Sequence, residues 1–364
     1  MNEKAFGGVQ LVVTGDWCQL PPVQPFQYCI ECGHEMKVPR TSAVIKYCNE
    51  HGIVQNVNKW AFRSLAWKEC NFIHKNLTEI HRQNDLTFVA ILNKYRIGEH
   101  LTPEEQQLLL DHPSDTKDAV RLFPTREEVK DVNDKEFARL PHPVQRYACL
   151  DNFEWREKHG DLQYKGQPNK DRSETLQALK DHRYQAVVDL KKDMVVVLLA
   201  NLSIPDGLVN GSQGIIVGFE EHNPKNLPDR LGDYGKYRKH LIDDFIRKRA
   251  VKRWPIVRFH SGRERTIYAE CMVSELGDEK PYCLLSRTQI PLMAGWAMTV
   301  HKAQGMTLDR VIVDLERSFS EGLEYVALSR ARNLEGLKVE NLGIRRGGAN
   351  KEVLDFLRGQ DWIT

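Results

Sequence analysis

Two polar side chains near the start of the chain are of the kind that handles phosphate groups. The segment VVTGDWCQLPPV, residues 12–23, carries Asp16 and Gln19 directly after an apolar run. A glutamine amide can orient an attacking water or sense a terminal phosphate, and an aspartate can hold a water or the shell of a metal ion. An ordinary polar loop has the same composition, so both interpretations stay open at this point.

Two arginines in separate segments have the chemistry to bind a phosphate. Arg82 lies in LTEIHRQND, residues 77–85, and Arg330 lies in EYVALSRARNLEGL, residues 324–337. A guanidinium binds phosphate oxygens bidentately, and two of them with a sensing glutamine could stabilise charge on a phosphoryl group during transfer. Taken singly, each arginine is equally well explained as a surface residue.

A third segment combines hydroxyl, imidazole, ammonium and amide groups over a few residues. It is MAGWAMTVHKAQGMTLDRVIVDL, residues 293–315, and its polar side chains are Thr299, His301, Lys302 and Gln304. Gly305 follows them and allows the backbone to leave a helix. Such a cluster at the junction of a helix and a loop suits contacts to the phosphates of a nucleic acid.

Cysteine and histidine residues have the spacing of a small zinc site. Cys29 and Cys32 form one pair two residues apart, and Cys48 and His51 form a second pair further along the chain. Ligand pairs of this kind suit a tetrahedral structural Zn²⁺ site, in which His34 could replace one ligand. The alternative is that these are unconnected thiols in a reducing compartment.

Composition is that of a globular protein. The 364 residues are 41% hydrophobic and 28% charged, no run of apolar residues is long enough to span a membrane, and the net charge is +2. Between Lys236 and Arg265, however, eleven Lys or Arg face three acids, with aromatic residues among them. This stretch fits either nucleic-acid contact or a solvated helix face. Eight cysteines without a secretory signal indicate an intracellular protein.

Hydrophobic patterning predicts alternating strands and helices with a β-rich insert, which is an α/β architecture. The predicted strands are Gln10–Thr14, Val120–Phe123, Met194–Leu199, residues 214–219, residues 254–259, Val311–Leu315 and a final strand near Gly336–Val339. The predicted helices include one capped by Asp85 and ended by Gly98, one capped by Thr102, one at about 126–139, one over Leu292–Gln304 and one at about 321–332.

Five blocks occur in one order along the chain, and together they resemble a known family. They are GDWCQLPPV, LTEIHRQNDLTFVAILNKYRIGE, GLVNGSQGIIVGF, TVHKAQGMTLDRVIVDL and YVALSRARNLEGLKV. The sequence resembles the Pif-type (petite integration frequency) DNA helicases, RecD-like members of superfamily one, over most of residues 6–343. The resemblance implies ATP hydrolysis with Mg²⁺, coupled to 5′→3′ movement along single-stranded DNA or at DNA junctions. It also implies roles in genome maintenance, namely DNA repair, recombination and telomere maintenance.

The resemblance also implies roles for individual residues. Gln19 matches the sensor of the third helicase motif and Asp16 belongs to the same motif, which contacts the nucleotide. Arg82 matches the arginine of the fourth motif, and Arg330 matches the arginine finger of the sixth. Contacts to DNA phosphates are implied for the fifth motif, represented by Thr299, His301, Lys302 and Gln304.

One departure from the family is large. The family binds ATP through a G-x-x-x-x-G-K-[ST] loop, and this sequence has no such match, because its one Gly-Lys pair, Gly235-Lys236, is followed by Tyr237. The Asp-Glu pair expected after an earlier strand is missing too. We therefore expect the C-terminal part of a helicase that lacks ATPase activity by itself and joins the missing N-terminal half. The alternative is a non-catalytic, single-stranded nucleic-acid-binding remnant with a structural zinc site.

The expected fold is a truncated first RecA-like domain, followed by a second RecA-like domain of P-loop-NTPase type with an inserted SH3-like β module. The expected boundaries are 1–76 for the remnant of the first domain with the zinc insertion at 24–58, 77–188 for the first part of the second domain, 189–290 for the insert, 291–346 for the second part and 347–364 for a C-terminal tail. We expect a monomer without membrane contact, in the nucleus or mitochondrion if the source is eukaryotic.

Overall fold

A computed structural model describes residues 5–22, 37, 47–53, 60–155, 175–180, 182–229, 232–276, 283–316, 320–343 and 348–362. The chain forms two compact units. The first unit consists of Met1–Pro113, Val313–Ser329 and Asn333–Thr364, and the second consists of Ser114–Ile312 and Arg330–Arg332. The domain boundaries expected from the sequence remain a prediction.

Helices and strands occur in both units. The α-helices are α1 (Leu65–Cys70), α2 (Leu86–Ile97), α3 (Pro103–Asp111), α4 (Arg126–Arg139), α5 (Gly235–Lys248), α6 (Val300–Ala303), α7 (Leu323–Leu328) and α8 (Lys351–Arg358). The strands are β1 (Tyr47–Cys48), β2 (Gly52–Ile53), β3 (Val120–Phe123), β4 (Gln145–Ala148), β5 (Leu150–Trp155), β6 (Val187–Leu190), β7 (Val195–Leu198), β8 (Gln213–Glu221), β9 (Arg253–Phe259), β10 (Glu264–Thr266), β11 (Glu270–Leu276), β12 (Cys283–Gln289), β13 (Leu292–Ala294), β14 (Ala297–Thr299), β15 (Val311–Asp314) and β16 (Leu337–Asn341). No helix in the described ranges combines the length and apolar character needed to cross a membrane.

The predicted helix caps of the first unit are confirmed. The Asp85 carboxylate accepts hydrogen bonds from the backbone N–H groups at the start of α2, and Gly98 ends that helix in the left-handed region at φ 79°. Thr102 and Glu105 form a reciprocal capping box at the start of α3, with Pro103 at the first helical position. The side chains of Asp85 and Thr102 thus accept hydrogen bonds from backbone N–H groups that the first turn of a helix leaves unpaired.

An aromatic cluster forms the core of the first unit around the segment that contains Asp16. Trp17 meets the ring of Phe62 edge-on at 5.2 Å, and Phe62 stacks on Phe356 of α8 at 4.4 Å. Leu357 of the same helix is buried in this cluster. The stretch 347–364, for which the sequence predicts a tail, thus contributes a helix to this core.

The buried strand predicted at Gln10–Thr14 is wrong. Residues 9–16 have no regular secondary structure, and Val12 and Val13 are 85% and 59% exposed. An apolar extended segment becomes a strand only when a neighbouring backbone pairs with it. Within the described part of the chain no strand pairs with this segment, so the apolar pattern alone was misleading.

Parallel strands in the second unit confirm the α/β fold class. β14 pairs with β3 in parallel, with Thr299 opposite Phe123 at the ends of the two strands. Each strand leads into a helix whose first turn is capped by a threonine side chain, Thr125 for α4 and Thr299 for α6. The helix predicted at about 126–139 is therefore confirmed as α4.

The helix predicted over Leu292–Gln304 is wrong for most of its length, because the segment begins with two short strands. β13 pairs antiparallel with β7, β14 pairs with β3, and only Val300–Ala303 is helical. A side chain at Gly295 would place its Cβ 2.9 Å from the backbone N of Val196, so β13 approaches β7 closely. A continuously apolar segment does not show whether its apolar residues repeat with the period of a helix or of a strand. Here, pairing with a distant strand decided the structure.

The predicted β-rich insert is present in the second unit as a group of antiparallel sheets. Its largest sheet has the strand order β10-β9-β8-β7-β13, beside a sheet β11-β12-β5 and the pair β4-β6. The strands predicted at Met194–Leu199, 214–219 and 254–259 are confirmed as β7, β8 and β9. Helix α5 buries Leu241, Ile242 and Phe245 in the same core. β4 and β5 add a stretch for which the sequence predicts no element.

A buried ion pair joins two strands of this module. Both side chains, Asp151 on β5 and Arg287 on β12, are almost inaccessible, and two hydrogen bonds of 2.7 Å connect guanidinium and carboxylate. Arg287 also donates to the carbonyl of Tyr184, and the Leu176 N–H donates to Asp151. Each charge therefore has the full set of partners that burial requires.

Removing one member of this pair should destabilise the protein strongly. Arg287→Leu leaves a buried carboxylate without its counter-charge, so we expect urea unfolding to show a loss of about 3–5 kcal/mol. The matched control is Arg146→Leu, which breaks an exposed pair with Asp189 in the same module and should leave the unfolding midpoint almost unchanged. Equal effects of the two substitutions would contradict this assignment.

Candidate functional site

Asp16 is held by two other side chains of the first unit. Arg96, at the end of α2, donates to Asp16 Oδ1 from Nε at 3.2 Å and from Nη2 at 3.1 Å. The Tyr325 hydroxyl donates to Oδ2 at 3.0 Å. The carboxylate thus connects the predicted third-motif segment to α2 and α7. Its predicted role as a nucleotide ligand remains a prediction.

The turn from Asp16 to Gln19 is closed by local hydrogen bonds. The Gln19 N–H donates to the Asp16 carbonyl at 3.2 Å, and the Cys18 N–H donates to Asp16 Oδ1 at 3.1 Å. Cys18 is fully buried, and this burial raises the pKa of its thiol to about 12, with Arg96 opposing the rise and Asp16 adding to it. The thiol is therefore a neutral packing group.

Helix α7 begins against this turn. Gly322 has φ 71°, and a Cβ there would lie 2.6 Å from the Cys18 carbonyl oxygen and 2.8 Å from that of Gln19. Any side chain at position 322 would collide with the turn, so glycine is required both for conformation and for space. The first unit therefore fixes the backbone that carries Gln19.

Arg82 is directed to the end of α7. Its Nη1 donates to the Ser329 carbonyl at 3.1 Å, and Gln83 Nε2 donates to the same oxygen at 3.3 Å. Partial burial lowers the pKa of Arg82. Sequence reasoning missed Gln83, Arg96 and Tyr325, although each lies inside one of the family-like blocks.

Arg330 is buried within the second unit. Its side chain is 1% exposed and its Nη1 donates to the Met306 carbonyl at 3.1 Å. The Leu308 N–H donates to the Arg330 carbonyl, and Leu308 forms a parallel bridge with Ala331. The guanidinium thus supports the backbone that follows α6, and its role as an arginine finger remains a prediction.

The predicted DNA-contacting residues lie on and beside α6. The Thr299 hydroxyl caps this helix by accepting from the Lys302 N–H at 3.3 Å, while His301, Lys302 and Gln304 are exposed. Gly305, at φ 80°, follows the helix as predicted. The segment therefore presents imidazole, ammonium and amide groups together on the surface of the second unit.

The β-rich module holds the segment that follows α6. Gln213, fully buried at the start of β8, donates to the Arg310 carbonyl at 2.9 Å and accepts from the Arg310 N–H at 2.9 Å. A Cβ at Gly211 would lie 2.8 Å from the Thr307 carbonyl oxygen. Both residues lie in the family-like block GLVNGSQGIIVGF, and the sequence alone assigned them no contact.

Half of the predicted zinc site lies within the described structure. Cys48 Sγ and His51 Nδ1 are 3.7 Å apart across the turn between β1 and β2. Two ligands of a tetrahedral Zn²⁺ ion are about 3.6 Å apart for ordinary Zn–S and Zn–N distances. Cys29, Cys32 and the alternative ligand His34 lie outside the described residues. No group of three or more potential metal ligands occurs among the residues that the structure describes.

The sequence is similar to known proteins over nearly its whole length. The ATP-dependent DNA helicase PIF1 of Xenopus laevis is 32% identical over 359 residues, which is 98% of this chain and 44% of the relative. The human protein of the same name is 32% identical over 364 residues, with the same coverage. The chain thus spans less than half the length of these curated relatives. No family model matches the sequence.

Solved structures of Pif1 helicases are also similar to this chain. The Pif1 helicase of Candida albicans matches with a TM-score of 0.59 at 28% identity, covering 99% of this chain and 70% of that structure. A Bacteroides Pif1 helicase in complex with ADP-AlF3 and single-stranded DNA matches with a TM-score of 0.51 at 22% identity, covering 99% and 68%; this shows likeness of fold alone. The chain has the fold of a helicase with RecA-like domains. Within that class, the chain is similar to the Pif1 helicases over 98% of its own length.

Loss of the Gln213 amide should loosen the segment after α6 specifically. Gln213→Leu removes both partners of the Arg310 backbone, so we expect faster amide hydrogen exchange over residues 306–310 and a loss of about 1–3 kcal/mol. Gln289→Leu is the matched control, because Gln289 is equally buried but donates to the Tyr147 carbonyl. Exchange over 306–310 that rises equally in both variants would refute the assignment.

Proposed function

We propose that this chain is part of an ATP-dependent 5′→3′ DNA helicase and supplies contacts to single-stranded DNA. The observation that carries the proposal is the surface of α6. His301, Lys302 and Gln304 are exposed beside the capping hydroxyl of Thr299, and the backbone leaving that helix is bonded to Arg330. A cationic and amide-bearing helix end of this kind suits phosphates of a nucleic-acid backbone.

The nucleotide-facing residues are proposed by the same reasoning. Gln19 would sense the terminal phosphate of ATP, and Arg82 and Arg330 would stabilise charge on the phosphoryl group in transfer. Asp16 would hold the Gln19 turn through its bonds to Arg96 and Tyr325. ATP supplies the free energy and Mg²⁺ neutralises the phosphates when both are bound. The Bacteroides relative, solved with ADP-AlF3 and DNA, supports this pairing of ligands.

This chain by itself is proposed to have no ATPase activity. Its sequence contains no G-x-x-x-x-G-K-[ST] loop, whose backbone amides and lysine would cradle the phosphates. A polypeptide that carries this loop would complete the first unit. Exposed Val12 and Val13, together with Ile73 at 87% and Leu77 at 86% exposure, support such docking. Roles in repair, recombination and telomere maintenance, in the nucleus or mitochondrion, follow from the family resemblance.

A second candidate function rests on the exposed groups of α6, which could bind nucleic acid without ATP hydrolysis. In this alternative, the chain is a non-catalytic protein that binds single-stranded nucleic acid and uses zinc for structure alone. The two candidates differ in one measurable respect. A separately produced polypeptide with the missing loop restores DNA-stimulated ATP hydrolysis under the first proposal and leaves it absent under the second.

The purified chain should bind single-stranded DNA in a strongly salt-dependent manner. Neutralising phosphates releases counterions, so fluorescence anisotropy should give a log–log slope of about −0.7 per phosphate contacted. Lys302→Gln should weaken binding. Lys351→Gln, at an 89% exposed lysine of α8 that pairs with Asp355, should not. Absence of binding at low salt would exclude the DNA-binding role. DNA-stimulated ATP hydrolysis by the chain alone would overturn the proposed lack of activity.

We also propose a structural zinc ion bound by Cys29, Cys32, Cys48 and His51. The 3.7 Å separation of Cys48 Sγ and His51 Nδ1 supports it. Protein purified without chelator should contain about one zinc per chain by elemental analysis, because four ligands close a structural site. Cys48→Ser should lose the metal and Cys70→Ser should keep it. Zinc near zero in the unaltered protein would refute the site.

A further inference from the structure

The carboxyl ends of β3 and β14 meet at one edge of the second unit. The strands are parallel, and the register that pairs Thr299 with Phe123 brings their last residues level. Residues that follow the two strands therefore emerge side by side, about 4.8 Å apart in the backbone. Arg126, the first residue of α4, follows β3, and His301 and Lys302 follow β14. Such edges are where α/β sheets bind ligands.

The exposed groups at this edge combine into a positive surface. Arg126, His301 and Lys302 are all exposed, and Arg126 is the first residue of the 14-residue helix α4. Partial burial and then the charge of Arg126 lower the pKa of His301 and of Lys302. His301 is therefore a neutral hydrogen-bonding group at pH 7, and Arg126 and Lys302 are two neighbouring cations that repel each other. The nearby Glu128 carboxylate accepts from the Thr125 hydroxyl, and Glu127 is exposed.

Mutual repulsion of this kind is relieved by a bound anion. Arg126 and Lys302 follow two different strands, so the positive charges are spread along the edge. They do not surround one closed loop of backbone N–H groups. A single phosphate is usually held by such a closed loop, whereas a polyanion needs cations distributed along its path. A guanidinium adds bidentate geometry to the contact. The edge therefore fits consecutive phosphates of an extended strand.

We propose that Arg126 binds a backbone phosphate of single-stranded DNA, next to the phosphates contacted by His301 and Lys302. This inference rests on the proposed DNA-binding function and adds a residue outside the five family-like blocks. Because the contact is to phosphate and not to a base, its contribution is independent of DNA sequence.

The test compares two arginines of one helix in the full chain. Binding of a fluorescein-labelled oligothymidylate is measured by anisotropy across a salt series for the unaltered chain, Arg126→Gln and Arg139→Gln. Arg139 ends the same helix and is paired with Glu136, so the charge change is matched. We expect weaker binding and a salt slope smaller by about 0.7 for Arg126→Gln. Arg139→Gln should match the unaltered chain, and Arg126→Lys should retain the slope.

The outcomes separate the two proposals. No binding by the unaltered chain at low salt refutes the proposed function. Binding by the unaltered chain with identical behaviour of Arg126→Gln and Arg139→Gln refutes the role of Arg126 alone. Competition by inorganic phosphate at constant ionic strength, lost in Arg126→Gln, would assign the site to a single phosphate and overturn the proposal. Equal unfolding midpoints for the two variants establish that any difference in binding is local.

Discussion

The backbone between α6 and β15 has to keep its polar groups bonded as it leaves the helix, and the second unit is organised around that requirement. Arg330 donates to the carbonyl of Met306 and accepts at its own carbonyl from the Leu308 N–H. Gln213 then bonds both backbone groups of Arg310. The backbone that follows the exposed side chains of α6 is therefore held by two distant stretches of the chain, one at Gln213 and one at Arg330.

The first unit meets a comparable requirement with charge. A half-buried carboxylate at Asp16 needs donors, and Arg96 and Tyr325 provide them from α2 and α7. These bonds, together with the close approach of Gly322, fix the turn that presents Gln19. The same helix α7 ends at the carbonyl that Arg82 and Gln83 share. Residues from the third, fourth and sixth motif-like blocks are thereby positioned against one short helix.

The sequence was most informative where structure is decided within a few residues. The caps at Asp85 and Thr102 act over a single turn, and both are confirmed. The helix predicted over Leu292–Gln304 failed because β7, far away in the sequence, supplies the pairing that makes β13 a strand. The strand predicted at Gln10–Thr14 failed for the converse reason, since the described chain offers it no neighbour.

The same distinction applies to the candidate site. Asp16, Gln19, Arg82 and Arg330 belong to motif-like blocks and were identified before the structure. Arg96 and Gln213 lie in such blocks too, but their contacts were not predicted. Nothing in the local sequence distinguishes an arginine or amide that bonds a distant partner from one that faces solvent. Cys48 and His51 are close in sequence, and the short hairpin β1-β2 brings them together.

Because the guanidinium of Arg330 also holds the Met306 carbonyl, loss of activity on substitution of Arg330 would not by itself demonstrate that this arginine takes part in the chemistry. Genetic evidence at this arginine has to be read together with a measurement of whether the variant still folds.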